Sequence, residues 1–121
     1  MPTSTGHTTA IRAKKVIGTV VKDTSGEKIG VVEDIVLDKQ SNTILFAVVG
    51  FGGVLKIGEK FHPLPWASLN YDEEEDAYVV PYTKDELKNA PADEISELTK
   101  NDGIAYRDQS YAFYRVEQYW T

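Results

Sequence analysis

The chain has 121 residues, with 13 basic and 19 acidic side chains, two histidines, no cysteine and a formal net charge of −6. That length suits one domain, which buries roughly two thirds of its unfolded-chain surface without needing staples. The lack of cysteine removes disulfide frameworks, thiolate metal sites and thiol nucleophiles. The acidic balance opposes phosphate backbones and anionic membrane surfaces.

Residues 1–13 are polar and Thr-rich with no apolar core, so they read as a flexible tail and not as a signal or transit peptide. No apolar run approaches the roughly 20 residues that span a bilayer; the longest, 43–51, is strand-sized. The expected setting is soluble and cytoplasmic, which the absence of cysteine suits.

Residues 16–22 form the first predicted strand, closed by Asp23-Thr24-Ser25-Gly26. The second covers 29–38. Alternation places Ile29, Val31, Ile35 and Leu37 on one face and Val32 and Val36 on the other, with Glu33 interrupting the first. Apolar residues on both faces with one interruption predict a small closed barrel with a bulge, not a flat sheet with one wet side. A polar turn, 39–42, leads to a central strand over 43–51. Gly50, Gly52 and Gly53 suit a tight barrel corner. A short strand, 54–57, turns at Gly58-Glu59-Lys60 and returns through 61–64, where Pro63 and Pro65 lack donors and predict a sheet edge. Trp66 opens a one-turn helix that carries its ring into the core. An acidic turn, 72–76, precedes the last strand, 77–82.

Past Tyr82 the pattern changes. Thr83 and Glu86 make a capping box that opens a short helix, stopped by Ala90-Pro91. Asp93 is a candidate N-cap for a second helix with Ile95 and Leu98 on one face, ending near Asn101-Asp102-Gly103. Residues 104–121 are aromatic-rich. In helical register Phe113, Val116 and Trp120 form one stripe and Tyr111 and Tyr114 another; a strand is the alternative.

Several features occur in a recognisable order: Ile17-Gly18, Gly26-Glu27-Lys28-Ile29-Gly30, the run 32–38 ending in Leu37-Asp38, Phe51-Gly52-Gly53, Ile57-Gly58-Glu59-Lys60, Leu64-Pro65-Trp66, and 84–91. Together they resemble a PRC-barrel domain, and the C-terminal extension resembles that of stand-alone bacterial members. The resemblance implies a mainly β fold, a small, strongly bent barrel over 14–91, followed by a helical, aromatic-rich extension over 92–121. The family includes the cytoplasmic domain of the photosynthetic reaction-centre H subunit and the C-terminal domain of a ribosome-maturation factor, in both of which the barrel docks proteins without catalysis of its own. Gly26, Gly30, Asp38, Gly52, Gly53, Gly58, Pro65 and Trp66 carry the match, and they specify fold, not chemistry.

Catalytic and metal sets are thin. His7 and His62 lie too far apart in the chain, with too few companions, to suggest a metal site. The acids at 72–76 lack the alternation and central glycine of a calcium loop. No serine sits in a Gly-x-Ser-x-Gly elbow. Glu33, Asp34 and Asp38 could pair as carboxylates, but Asp38 is better explained as a turn starter. The glycines of 50–58 lack the Gly-Lys-Ser/Thr of a phosphate loop. The aromatic tail has two readings. Phe113, Val116 and Trp120 cover an edge or mouth of their own barrel, or Tyr111, Phe113, Tyr114, Tyr119 and Trp120 contact a partner or a second copy.

The expected function is a non-enzymatic protein–protein interaction or adaptor module, self-associating as a homodimer, with no cofactor, metal or nucleic acid. Two alternatives stand. One is a small-ligand or enzymatic barrel with a pocket near Phe51, Trp66 and Tyr71. The other is a ribosome-assembly role through a basic ribosomal protein.

Overall fold

A computed structural model of the protein describes residues 10–51, 60–87 and 89–118. A four-residue helix, α1 (Ala13–Val16), precedes β1 (Val20–Lys22), β2 (Lys28–Asp38) and β3 (Thr43–Gly50). Next come β4 (His62–Pro65), a 3₁₀ turn (Trp66–Ser68), β5 (Asn70–Asp72) and β6 (Ala77–Val79). Three helices close the chain: α2 (Lys84–Leu87), α3 (Ile95–Leu98) and, after a kinked turn (Lys100–Gly103), α4 (Ile104–Tyr114). The strand over 54–57, with Gly52, Gly53 and Gly58, lies outside the described residues.

The six strands make one sheet in the order β4-β3-β2-β1-β6-β5, antiparallel except for the parallel β1–β6 pair. Its edges, β4 and β5, are joined only by residues 66–69. Six flat strands at about 4.8 Å spacing would hold those edges ~24 Å apart, whereas a 3₁₀ turn rises only about 2 Å per residue. The sheet must therefore curl strongly. Among the described residues β4 and β5 do not pair with each other, so the curl stops short of a cylinder closed by hydrogen bonds.

Two bulges bend the central hairpin. Val32 pairs with Val49 and Asp34 with Val48, leaving Glu33 as the extra residue on β2. Val36 pairs with Phe46 and Leu37 with Ile44, leaving Leu45 extra on β3. A bulge flips the alternation of the strand that carries the extra residue. Simple alternation put Leu37 on the same face as Ile29; past Glu33, the extra residue on β2, the faces are reversed, and Leu37 is 61% exposed while Ile29 is buried. β3 is apolar on both faces because both are covered. Ala47 and Val49 join Val21, Ile29, Val32 and Leu64 in the main core, while Phe46 and Val48 pack with Leu98 beneath the C-terminal helices.

Gly30 is required where β2 crosses β3, since a Cβ there would lie 2.4 Å from the Gly50 carbonyl oxygen. Gly26, with φ of +89°, turns β1 into β2. Asp23 pins that turn, accepting hydrogen bonds from Ser25 Oγ at 2.6 Å, Ser25 N at 2.9 Å and Glu27 N at 3.1 Å. Asp38 does the same for the β2–β3 turn, accepting from Gln40 N at 2.9 Å. The capping box forms reciprocally, Glu86 N to Thr83 Oγ1 at 3.2 Å and Thr83 N to Glu86 Oε1 at 2.8 Å.

Other expectations need correction. The first strand starts at Val20, because residues 13–16 coil into α1 and bury Val16. Trp66 opens the one-turn helix as expected and packs against the main core, but it is only half-buried there, edge-on to Tyr78 with ring centroids 5.6 Å apart. Asp93 does not cap α3, whose N-cap is Glu94. It pairs as an isolated bridge with Phe61, through Phe61 N to Asp93 O at 2.8 Å and Asp93 N to Phe61 O at 3.0 Å.

Candidate functional site

The C-terminal segment seals one edge of the sheet. Pro63 and Pro65 already deprive β4 of donors, and the Phe61–Asp93 bridge extends that edge. α4 lies against β4, with Ser110 Oγ donating to the Pro63 carbonyl at 2.6 Å. The Tyr111 hydroxyl donates at 3.1 Å to the carbonyl of Leu45, the extra residue of the second bulge. A bulge interrupts the ladder's regular pairing, and Tyr111 supplies a partner there. Tyr114 packs on Tyr82 with centroids 4.6 Å apart, and burial pushes its phenol up. Tyr111 and Tyr114 thus face the chain's own core.

Phe113 is 39% exposed, outside the buried set of Ser110, Tyr111 and Tyr114, with its ring edge-on to Tyr114 at 5.0 Å between centroids. The inward stripe is therefore not the one through Phe113. Arg115 ends the helix in the left-handed region, and Val116 N bonds Tyr111 O at 3.0 Å in a Schellman closure. Val116 reaches the core from beyond that stop. Tyr119 and Trp120 lie outside the described residues.

Where this segment meets the β2–β3 hairpin there is a cleft of about 460 Å³. One wall is Val36, Leu37 and the 38–40 turn; Leu45 contributes from β3; the other wall is Thr99, Asp102, Ile104 and Arg107. Leu37 is 61% and Ile104 46% exposed, so two large aliphatic side chains flank one opening. The second wall is built on three successive left-handed residues, Asn101 (φ 52°), Asp102 (φ 60°) and Gly103 (φ 72°). Two of them are not glycine, and such backbone persists only where the surrounding structure holds it. Leu45 and the Leu98 carbonyl lie against Gly103, and Tyr106, hydrogen-bonded to the Asp93 carboxylate, packs on the same Leu45–Leu98 cluster. The bond lowers Asp93 and pushes the Tyr106 phenol up to about 12.

Sequence reasoning placed Leu37 on an apolar strand face with Ile29 and gave Ile104 no role of its own. The available signal was an aliphatic residue directly before a turn-forming Asp38 and another directly after Asn101-Asp102-Gly103. This cleft is lined by other residues than Phe51, Trp66 and Tyr71. Phe51 stacks on His62 (centroids 4.8 Å), and Tyr71 and Trp66 both pack against Tyr78. Among the described residues no three His, Cys, Asp or Glu side chains are grouped to hold a metal ion. None of the described helices is long and apolar enough to cross a membrane.

A profile for the PRC-barrel domain matches residues 8–87. The chain belongs to the PRC-barrel domain family. No curated protein matches it. The profile takes in all six strands of this PRC barrel and ends with α2, so the cleft has one wall inside the matched domain and one wall beyond it.

His62, on β4 of this PRC barrel, is half-buried; burial lowers its pKa, opposed by the hydrogen bond it donates to the Pro91 carbonyl. Its Nδ1 is buried without a partner. In the unfolded chain it titrates near 6.5. Its contribution is therefore complete above that pH, then declines as pH falls from about 6.5 towards the lowered folded value, because the unfolded chain takes up the proton first. We expect His62→Gln to lose less melting temperature than the wild type between pH 7.5 and pH 5 (~2.5 units, spanning that window). Equal losses would remove His62 from the acid response.

Proposed function

We propose that this PRC-barrel chain is a non-enzymatic docking module that binds a partner protein and also associates with itself. The partner's apolar side chains enter the cleft between Leu37 and Ile104. The carrying observation is that these two aliphatic residues, both substantially exposed, flank one concave site with charged groups at its rim. An apolar centre with a polar rim is the ordinary anatomy of a protein interface. The reading places the module in the cytoplasm, in keeping with the absence of cysteine.

Burying one large aliphatic side chain contributes about 1.5–3 kcal/mol. The double variant Leu37→Asp/Ile104→Asp is therefore expected to weaken capture of the partner by at least ~10-fold. Both positions are exposed, so its melting temperature should stay near that of the wild type. Affinity purification of both proteins from the native host, with quantitative mass spectrometry, makes the comparison. A partner retained equally by the variant, or a wild type that repeatedly recovers nothing, would count against the docking reading. A small-ligand reading draws on the cleft volume, which lies within the ~300–1,000 Å³ typical of such sites.

A further inference from the structure

One end of the curled sheet carries opposite charges side by side. β1 and β6 run parallel, with Val21 beside Tyr78 and Lys22 beside Val79. The segment entering β1 and the turn entering β6 therefore lie at the same end. The first presents Arg12, Lys14 and Lys15, all exposed. The second is the five-acid turn of residues 72–76, in which Glu73, Glu74, Glu75 and Asp76 are exposed.

These two groups do not neutralise each other within the chain. Among the described residues Arg12, Lys14 and Lys15 pair with no acid. Glu75 turns instead to Lys22, at 2.6 Å. Asp72 caps the turn, accepting from Glu74 N at 3.0 Å, and Asp76 accepts from the Tyr71 hydroxyl at 3.0 Å. The same end also leaves Ile11, Ile17 and Tyr71 exposed, at 44%, 41% and 41%.

We propose that this end is the self-association surface, on which a second copy of the chain docks about a two-fold axis, the cationic segment of each copy lying on the acidic turn of the other. A two-fold interface needs one patch that complements itself. A positive half beside a negative half, with apolar residues at hand to be covered, meets that need. Individual exposed ion pairs are weak, so the charges set register and the buried Ile11, Ile17 and Tyr71 supply most of the adhesion. The inference rests on the self-association part of the function proposed above and names its surface.

The test uses three full-length chains followed by light scattering and sedimentation. Lys14→Glu/Lys15→Glu makes the patch predominantly negative, and Glu73→Lys/Glu74→Lys makes it more positive. The wild type is expected to run at twice the monomer mass and to dissociate at least ~10-fold more readily when salt rises from about 50 mM to about 500 mM. Each variant alone should be monomeric, with circular dichroism unchanged because every altered side chain is exposed. An equimolar mixture of the two should recover the dimer mass. A wild-type dimer untouched by either variant overturns this surface but leaves self-association standing. A wild type monomeric at all concentrations overturns both. Two monomeric variants that stay monomeric on mixing overturn the paired-charge arrangement.

Discussion

Chains ending at Gly103 are expected to lose cooperative folding. Truncation there removes α4, and with it the buried Tyr111 and Tyr114, the Ser110 bond to Pro63 and the Tyr111 bond to Leu45. Removing a buried aromatic side chain ordinarily costs about 3–5 kcal/mol. Two such losses come to roughly 6–10 kcal/mol, against a total stability of about 5–15 kcal/mol for a domain of ordinary size. Part is recovered, because the deleted residues no longer have to be ordered. The balance still leaves the truncated chain at or below the folding threshold. Near-ultraviolet circular dichroism and thermal melting decide the matter. A sharp transition within ~5 °C of the full-length protein, a shift worth only about 1–2 kcal/mol, would show that the strands stand without their C-terminal cover.

Gly30→Ala should be the most damaging single methyl added to the central hairpin. The new Cβ would sit 2.4 Å from the Gly50 carbonyl oxygen and 2.8 Å from Phe51 Cδ1. The nearer atom is backbone, at the last residue of β3, and cannot swing aside as a side chain can. Overpacking of this kind costs about 1–3 kcal/mol, a fall in melting temperature of roughly 3–6 °C per kcal/mol at this size. Gly50→Ala is the control. Its Cβ would meet the tip of the Glu33 side chain at 3.3 Å, which is exposed and able to move, so that variant should melt close to the wild type. If the two variants proved equally stable, strand contact at Gly30 would not be what demands glycine there.

Much of the architecture was legible because its causes are local. Pro63 and Pro65 cannot donate, so β4 had to be an edge. Thr83 and Glu86 stand at capping-box spacing and form both bonds. Glu33 interrupts an apolar pattern and is the residue left over at the first bulge. The second bulge, at Leu45, left no comparable mark, since Leu45 is as apolar as its neighbours. Leu37, half of the candidate site, is misplaced when simple alternation is carried straight through the Glu33 bulge on its own strand.

The C-terminal segment shows the same division. Composition and spacing left a helix and a strand both open there, and in helical register either aromatic stripe could face inward. Tyr111 was selected by an interrupted ladder 66 residues away in the chain, and Ser110 by the Pro63 carbonyl. Asp93 has an N-cap's chemistry, yet its backbone pairs with Phe61 and its carboxylate with Tyr106.

Alone, then, the order of residues determined strand-forming runs, turn chemistry, the proline-blocked edge, the acidic balance and the family. Those rest on dihedral preference, hydrogen-bond valence and charge, which each short stretch carries with it. Only the tertiary structure decided which helix face turns inward, that Leu37 and Ile104 meet across one cleft, and that Lys14 and Lys15 share an end with the 72–76 turn. Each of those outcomes depends on register between distant segments, and a shift of one residue in a strand reverses which side chains are buried.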